Sequence, residues 1–215
     1  MRRKGDETAE RVLVTSGGAH YEEASGAESH TEFVQRSGSN MYLQISGFLV
    51  DEIYTRYVLR AVAKQLDRWF IKQAEQALAA HLPAPKPCRI RLLGQMALLE
   101  TGSSLSLANT KDVDVRADYE YSAQKEFERL LQRKGLMLDP VGHEAWMPRE
   151  TRYLPVFQGR YVTLLAADQD AVLISKAWKA PVKNAPLIRE YLSQGASDRF
   201  FELAEKYDVD LEQFV

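Results

Sequence analysis

The chain reads as an α/β (α+β) protein: a small mixed sheet flanked by helices, followed by a helical C-terminal portion. Three observations predict this. Arg89 to Leu93 (RIRLL), Gly94 and the apolar run Gln95 to Glu100 read as strand, turn and helix, and Lys111 to Val115 (KDVDV) then alternates acid with valine as a strand does. Asp51 to His81 contains neither Gly nor Pro and repeats apolar residues every four positions. Tyr153 to Phe157 and Arg160 to Ala166 are extended runs joined across Gln158-Gly159, and three helical pieces follow Asp168.

The first forty residues are rich in Gly, Ser, Glu and His and carry one compact apolar cluster, Val12 to Val14. Without a core-forming period they read as a flexible arm, 1–40, ahead of a domain over 41–215 whose helical part spans about 168–215. Met41 is a possible second start that would dispense with the arm.

In the long helix Val58, Val62, Leu66, Phe70, Ala74 and Leu78 form one stripe, widened by Trp69. Pro83, Pro85 and Pro87 then make a stiff connector into RIRLL. After the acidic strand, Ser122 is the expected N-cap of a helix whose face is Phe127, Leu130 and Leu131 and whose end is Gly135. Glu144 to Met147 is expected to extend the sheet. The C-terminal helices are expected over Asp170–Lys179, Asn184–Ser193 with Pro186 in its first turn, and Ser197–Tyr207 capped by Ser197.

Composition narrows the function classes. With 45% hydrophobic and 27% charged residues, 215 residues suffice for one well-buried domain. A formal net charge of -2 argues against a globally basic nucleic-acid binder. Arg129, Arg133 and Lys134 read as a solvated helix face. Cys88 is the single cysteine, so no internal disulfide forms, and the four histidines have no ligand spacing for zinc. No signal segment or long apolar span is visible, and a cytoplasmic protein without membrane contact is expected.

The chemistry is expected at the acid pair. On a strand, Asp112 and Asp114 project to one side and Val113 and Val115 to the other, so two carboxylates stand together and repel unless neutralised. A hard divalent cation, magnesium or alternatively manganese, is the usual remedy, and it leaves positions open for phosphate. Gly94 permits a close turn, and the free amides at the start of the following helix favour a phosphate group.

This order of parts resembles the nucleotidyltransferase superfamily. More closely, it resembles the AbiEii-type and antitoxin-like bacterial nucleotidyltransferases, which carry GG-x-A-L followed by R-x-T-x-D-h-D-h. The corresponding residues are Gly94, Gln95, Ala97 and Leu98, then Asn109, Thr110, Lys111, Asp112, Val113, Asp114 and Val115. Gln95 departs from the small residue of the pattern, where it either crowds a triphosphate or hydrogen-bonds to it. The likeness spans about Arg89 to Leu192. It implies that Asp112 and Asp114 hold magnesium as the catalytic pair, and that Gly94, Gln95, Thr110 and Lys111 border the nucleotide. Lys176, in DAVLISKAWKA, matches a lysine that points at the phosphates; its bland alternative is a surface lysine whose stem covers apolar groups. Asn184 stands where relatives place a further carboxylate. Active relatives use a third acid on a neighbouring strand, for which Asp118, Glu144, Glu150 and Asp168 are the candidates.

The implied activity is metal-dependent transfer of a nucleotidyl group from a nucleoside triphosphate to a protein or RNA hydroxyl. The implied setting is a toxin-antitoxin or phage-defence system with a cognate partner. The alternative is a catalytically lapsed module of the same fold that binds nucleotide or a partner protein. A third reading, an interaction protein whose acid pair is incidental, predicts no nucleotide binding.

Overall fold

The computed structural model describes residues 9–15, 18–24, 50–108 and 110–215, with side chains described from Val58 onward. The chain divides into two compact units, Met1–Gly47 and Phe48–Val215. In the first, strands β1 (Ala9–Thr15) and β2 (Gly18–Ala24) pair as an antiparallel hairpin, in a stretch where the sequence pattern predicted no strand. Met41 and Asn109 lie outside the described residues.

The second unit is mixed α/β. Its elements are α1 (Val50–Ala79), β3 (Cys88–Leu92), α2 (Gly94–Thr101), β4 (Asp112–Val113), β5 (Val115–Asp118), α3 (Tyr121–Gln132), β6 (Met137–Leu138), β7 (Tyr153–Gln158), β8 (Val162–Ala167), α4 (Gln169–Lys179), α5 (Pro181–Ser193) and α6 (Asp198–Lys206). Short 3₁₀ turns occupy Gly142–Glu144 and Glu212–Phe214. The main sheet has the order β5-β3-β8-β7, with β3 parallel to β8 and antiparallel to β5, and β7 antiparallel to β8. A second, two-stranded sheet pairs β4 with β6 in parallel.

Register explains the core. Val115, Leu92 and Ala166 form one cross-strand row and Ala117, Ile90 and Leu164 the next, so strand alternation sends these residues to the same face. Ile90, Leu92, Leu164 and Ala166 are buried there. On the opposite face Arg91 pairs with Asp118 at 3.3 Å and lies over the ring of Tyr153. Helix α1 packs on α3, β7 and β8 through Val58, Leu59, Val62, Leu66 and Phe70, all buried. Each such side chain contributes about 1.5–3 kcal/mol by leaving water. The stripe ends there, because Leu78 is 77% exposed. Asp67, on the same helix, is buried and accepts from the amides of Tyr161 (2.7 Å) and Val162 (3.0 Å), tying α1 to the turn between β7 and β8.

Several boundaries differ from the sequence reading. Glu120, not Ser122, occupies the N-cap of α3 and makes no side-chain cap there. Glu144 to Met147 forms no strand: the 3₁₀ turn at Gly142–Glu144 lies against β5, and the carbonyls of His143 and Ala145 accept from the Arg116 side chain rather than from a strand's backbone. Helix α5 begins at Pro181, whose missing amide costs nothing at the first helical position, and Pro186 therefore lies inside it. Ser197 caps α6 as expected, accepting from the Phe200 amide at 3.1 Å.

Candidate functional site

The acidic strand is not continuous. At Asp114 the chain leaves the small sheet with β6 and enters the main sheet beside β3, so Asp114 sits at the junction of two sheets. Its carbonyl accepts from the Leu93 amide at 2.9 Å, which holds the start of α2 against it. Gly94 has φ +55, and a Cβ there would lie 2.2 Å from Asp114 Oδ2. A Cβ on Gly142 would lie 3.0 Å from Asp114 Oδ1. The carboxyl is thus slotted between two glycines, each required by its closeness.

Asp139 is the acid that sequence reasoning missed. In the parallel pairing Asp112 meets Met137 and Val113 meets Leu138, which brings Asp139 beside Asp114. Its amide donates to the Val113 carbonyl at 3.1 Å, and its Oδ1 accepts from the Val141 amide at 2.9 Å. The signal was slight: an apolar triplet, Leu136 to Leu138, after Gly135 and stopped by Asp139-Pro140. The four expected third acids are engaged or exposed elsewhere. Asp118 pairs with Arg91, Glu144 is exposed beside His143, and Glu150 accepts from Lys206 and Tyr207. Asp168 caps α4 through the Ala171 amide and accepts from the Arg152 amide at 2.6 Å.

The Asp114 carboxyl is pushed up to about 6. Burial is the largest cause, followed by a hydrogen bond with the Asp139 carboxyl and then Asp139's charge; Lys176 opposes the rise and Asp112 adds slightly to it. With a second carboxyl so near, Asp114 ionises only at a cost. Lys176 is pulled down by burial first, with Asp114 opposing that fall and Lys183 adding to it.

Asp114, Lys176 and Lys183 border a cleft of about 460 Å³. Gly94 and Gln95 line it at the start of α2, where no side chain caps the helix. Asp114 lines it at the sheet junction, and Lys176, Lys179 and Lys183 line it from α4 and α5. The sequence spacing of those lysines gave no signal for the last two, because Lys183 lies on a different helix from Lys176 and Lys179. Gln95 Nε2 donates to the Ala108 carbonyl, so its amide fastens the loop that forms the lip rather than projecting freely. Asn184 also lines the cleft, but its Nδ2 donates to the carbonyls of Lys176 and Ala180, both at 2.9 Å, and so terminates α4. A carboxylate there has no proton to give these carbonyls.

Other expected residues lie apart. Asp112 is exposed and outside the cleft lining, although its charge reaches Asp114. Thr110 Oγ1 accepts from the Asp112 amide at 3.2 Å, and Lys111 is exposed with its carbonyl bound by the Met137 amide; neither lines the cleft. Asp139 borders a neighbouring cavity of about 310 Å³ with Tyr119, Gln124 and His143. Among the described residues no three His, Cys, Asp or Glu side chains converge as a metal-binding group. Burial pushes the Cys88 thiol up to about 12, which leaves it unreactive. No helix among the described residues is long and apolar enough to cross a membrane.

Compared with known protein families, curated proteins and solved structures, the chain matches none.

Proposed function

We propose that the cleft binds a nucleoside triphosphate with magnesium, or manganese, and transfers its nucleotidyl group to a hydroxyl of a protein or RNA. The observation that carries this reading is one carboxyl, Asp114, fixed against the start of α2 and sharing a cleft with three lysines. A chain that gathers Lys176, Lys179 and Lys183 around a half-buried acid is suited to a ligand of high negative charge that brings its own cation.

The donor set suits such a cation. Asp114 is a hard oxygen donor whose raised affinity for a proton marks a place that a divalent ion can take, with Asp139 beside it and Asp112 close enough to add charge. Magnesium bound there would neutralise the pair and a phosphate oxygen together, the charge stabilisation on which this transfer chiefly depends. The three lysines bind the remaining phosphate charge, and the unpaired amides at the start of α2 orient it. In the transfer the acceptor oxygen bonds to the α phosphorus as the bond to pyrophosphate breaks. Asp139, which borders the neighbouring cavity, would receive the acceptor's proton, while Asp114 holds the metal. The resemblance noted in the sequence supplies the setting, a toxin-antitoxin or phage-defence pair with a cognate partner.

Two observations favour the lapsed, binding-only alternative: three carboxylates do not converge among the described residues, and Asn184 serves as a helix terminator. Thermal unfolding separates binding from its absence. A magnesium-triphosphate complex is expected to raise the melting temperature of the wild type. Asp114→Asn and Lys176→Met should lose most of that shift relative to their own ligand-free baselines. If no combination of nucleotide and metal shifts the wild type, both the enzyme and the binding-module readings fail.

A further inference from the structure

A second cavity, of about 470 Å³, lies on the other side of Met147, which lines both it and the cleft. Its walls are Trp146, Trp178 and Tyr207, with Arg149, Glu150 and Lys206 around them. The Trp146 ring lies 4.9 Å from that of Trp178 at 31° and 5.1 Å from that of Tyr207 at 81°. Trp178 is nonetheless 54% exposed, so a large indole face is left to solvent within an aromatic cluster. The position of Trp178 on α4, one residue from the cleft lysine Lys179, sets the two sites side by side.

The charges choose the ligand. Both oxygens of Glu150 are occupied: Oε1 accepts from Lys206 Nζ at 2.5 Å and Oε2 from the Tyr207 hydroxyl at 2.6 Å, and that hydroxyl accepts from the Arg149 amide at 2.8 Å. These bonds hold Glu150 down at about 2, so it remains ionised and offsets Lys206. The Arg149 guanidinium has no hydrogen-bond or ion-pair partner among the described residues and is exposed. One surplus positive charge beside an open indole disfavours a cationic occupant and suits a flat ring that carries an anion.

We propose that this cavity is a second binding site, separate from the cleft, for a nucleobase bearing a phosphate, stacked on Trp178 with its phosphate on Arg149. Aromatic faces accept any base, and a guanidinium binds phosphate, so the site recognises the class and not one base. That chemistry is offered both by a free mononucleotide and by a unit of a single strand. The inference does not depend on what the cleft does.

Calorimetric titration of the full chain in chelator tests it, with adenosine monophosphate, a single-stranded RNA hexanucleotide, ribose 5-phosphate and tetramethylammonium as probes. Adenosine monophosphate or the hexanucleotide is expected to bind, ribose 5-phosphate to bind more weakly, and Trp178→Ala or Arg149→Met to weaken base-phosphate binding at least about fivefold. Both side chains are exposed, so neither change threatens the fold, and unchanged melting verifies this. Lys176→Met, in the cleft, should leave this binding unchanged. A hexanucleotide that binds at least about tenfold tighter than the mononucleotide assigns the site to a strand; equal affinities assign it to a free nucleotide. Equal affinity of wild type and Trp178→Ala for both probes, absence of binding, or preference for tetramethylammonium would each overturn the proposal.

Discussion

Asp114 is held where its charge is costly, and that cost can be measured. Its folded value of about 6 lies above the ordinary 3.8, so the fold favours the protonated form. The corresponding stability is present below about pH 4, is lost as pH rises toward 6, and is absent above that. Asp114→Asn removes the loss. In metal-free buffer this variant is expected to melt above the wild type near pH 8, with the difference closing as pH falls through the window. Equal melting temperatures at both ends would show that the carboxyl is not confined as described. Gly94 makes the complementary case. Because its φ is +55 and a Cβ would meet Asp114 Oδ2 at 2.2 Å, Gly94→Ala should cost about 1–3 kcal/mol in denaturant unfolding.

Among the elements, α4 and α5 carry the cleft's positive side, and Asn184 joins them through the carbonyls of Lys176 in α4 and of Ala180 at its end. Asn184→Asp would replace two donors with a carboxylate facing those carbonyls, and a loss of about 1–3 kcal/mol is expected in chemical unfolding. A neutral outcome would mean that the amide bonds contribute nothing to the junction. The elements also mark how far the sequence could be read. Helix α1 was legible because Gly and Pro are absent and Val58, Val62, Leu66 and Phe70 keep one spacing. The β3–Gly94–α2 unit and the β7–β8 hairpin were legible from alternation and turn residues. Strand β6 was not, because two residues show no period and its meaning comes from pairing with β4. Asp139 was therefore invisible as a neighbour of Asp114, just as the change of sheet at Asp114 cannot be read from an alternating KDVDV. Lys176 was found through resemblance, whereas Lys179 and Lys183 acquire meaning only when α4 and α5 bend around one cleft.

At the scale of the whole molecule, Phe48–Val215 holds a contiguous core from α1 to the C-terminal 3₁₀ turn. A chain starting at Phe48 is expected to unfold cooperatively by itself, and limited proteolysis of the full chain should cut first within residues 1–40. Non-cooperative unfolding of the shortened chain would make the first unit part of the folding domain. The central claim is that the cleft performs nucleotidyl transfer, and label transfer tests it most directly. The full chain is incubated with each α-labelled nucleoside triphosphate, magnesium or manganese, and a cell extract that supplies protein and RNA acceptors. The account predicts label on a macromolecule with the wild type and none with the Asp112→Asn, Asp114→Asn double variant; triphosphate binding without transfer to any acceptor would contradict it.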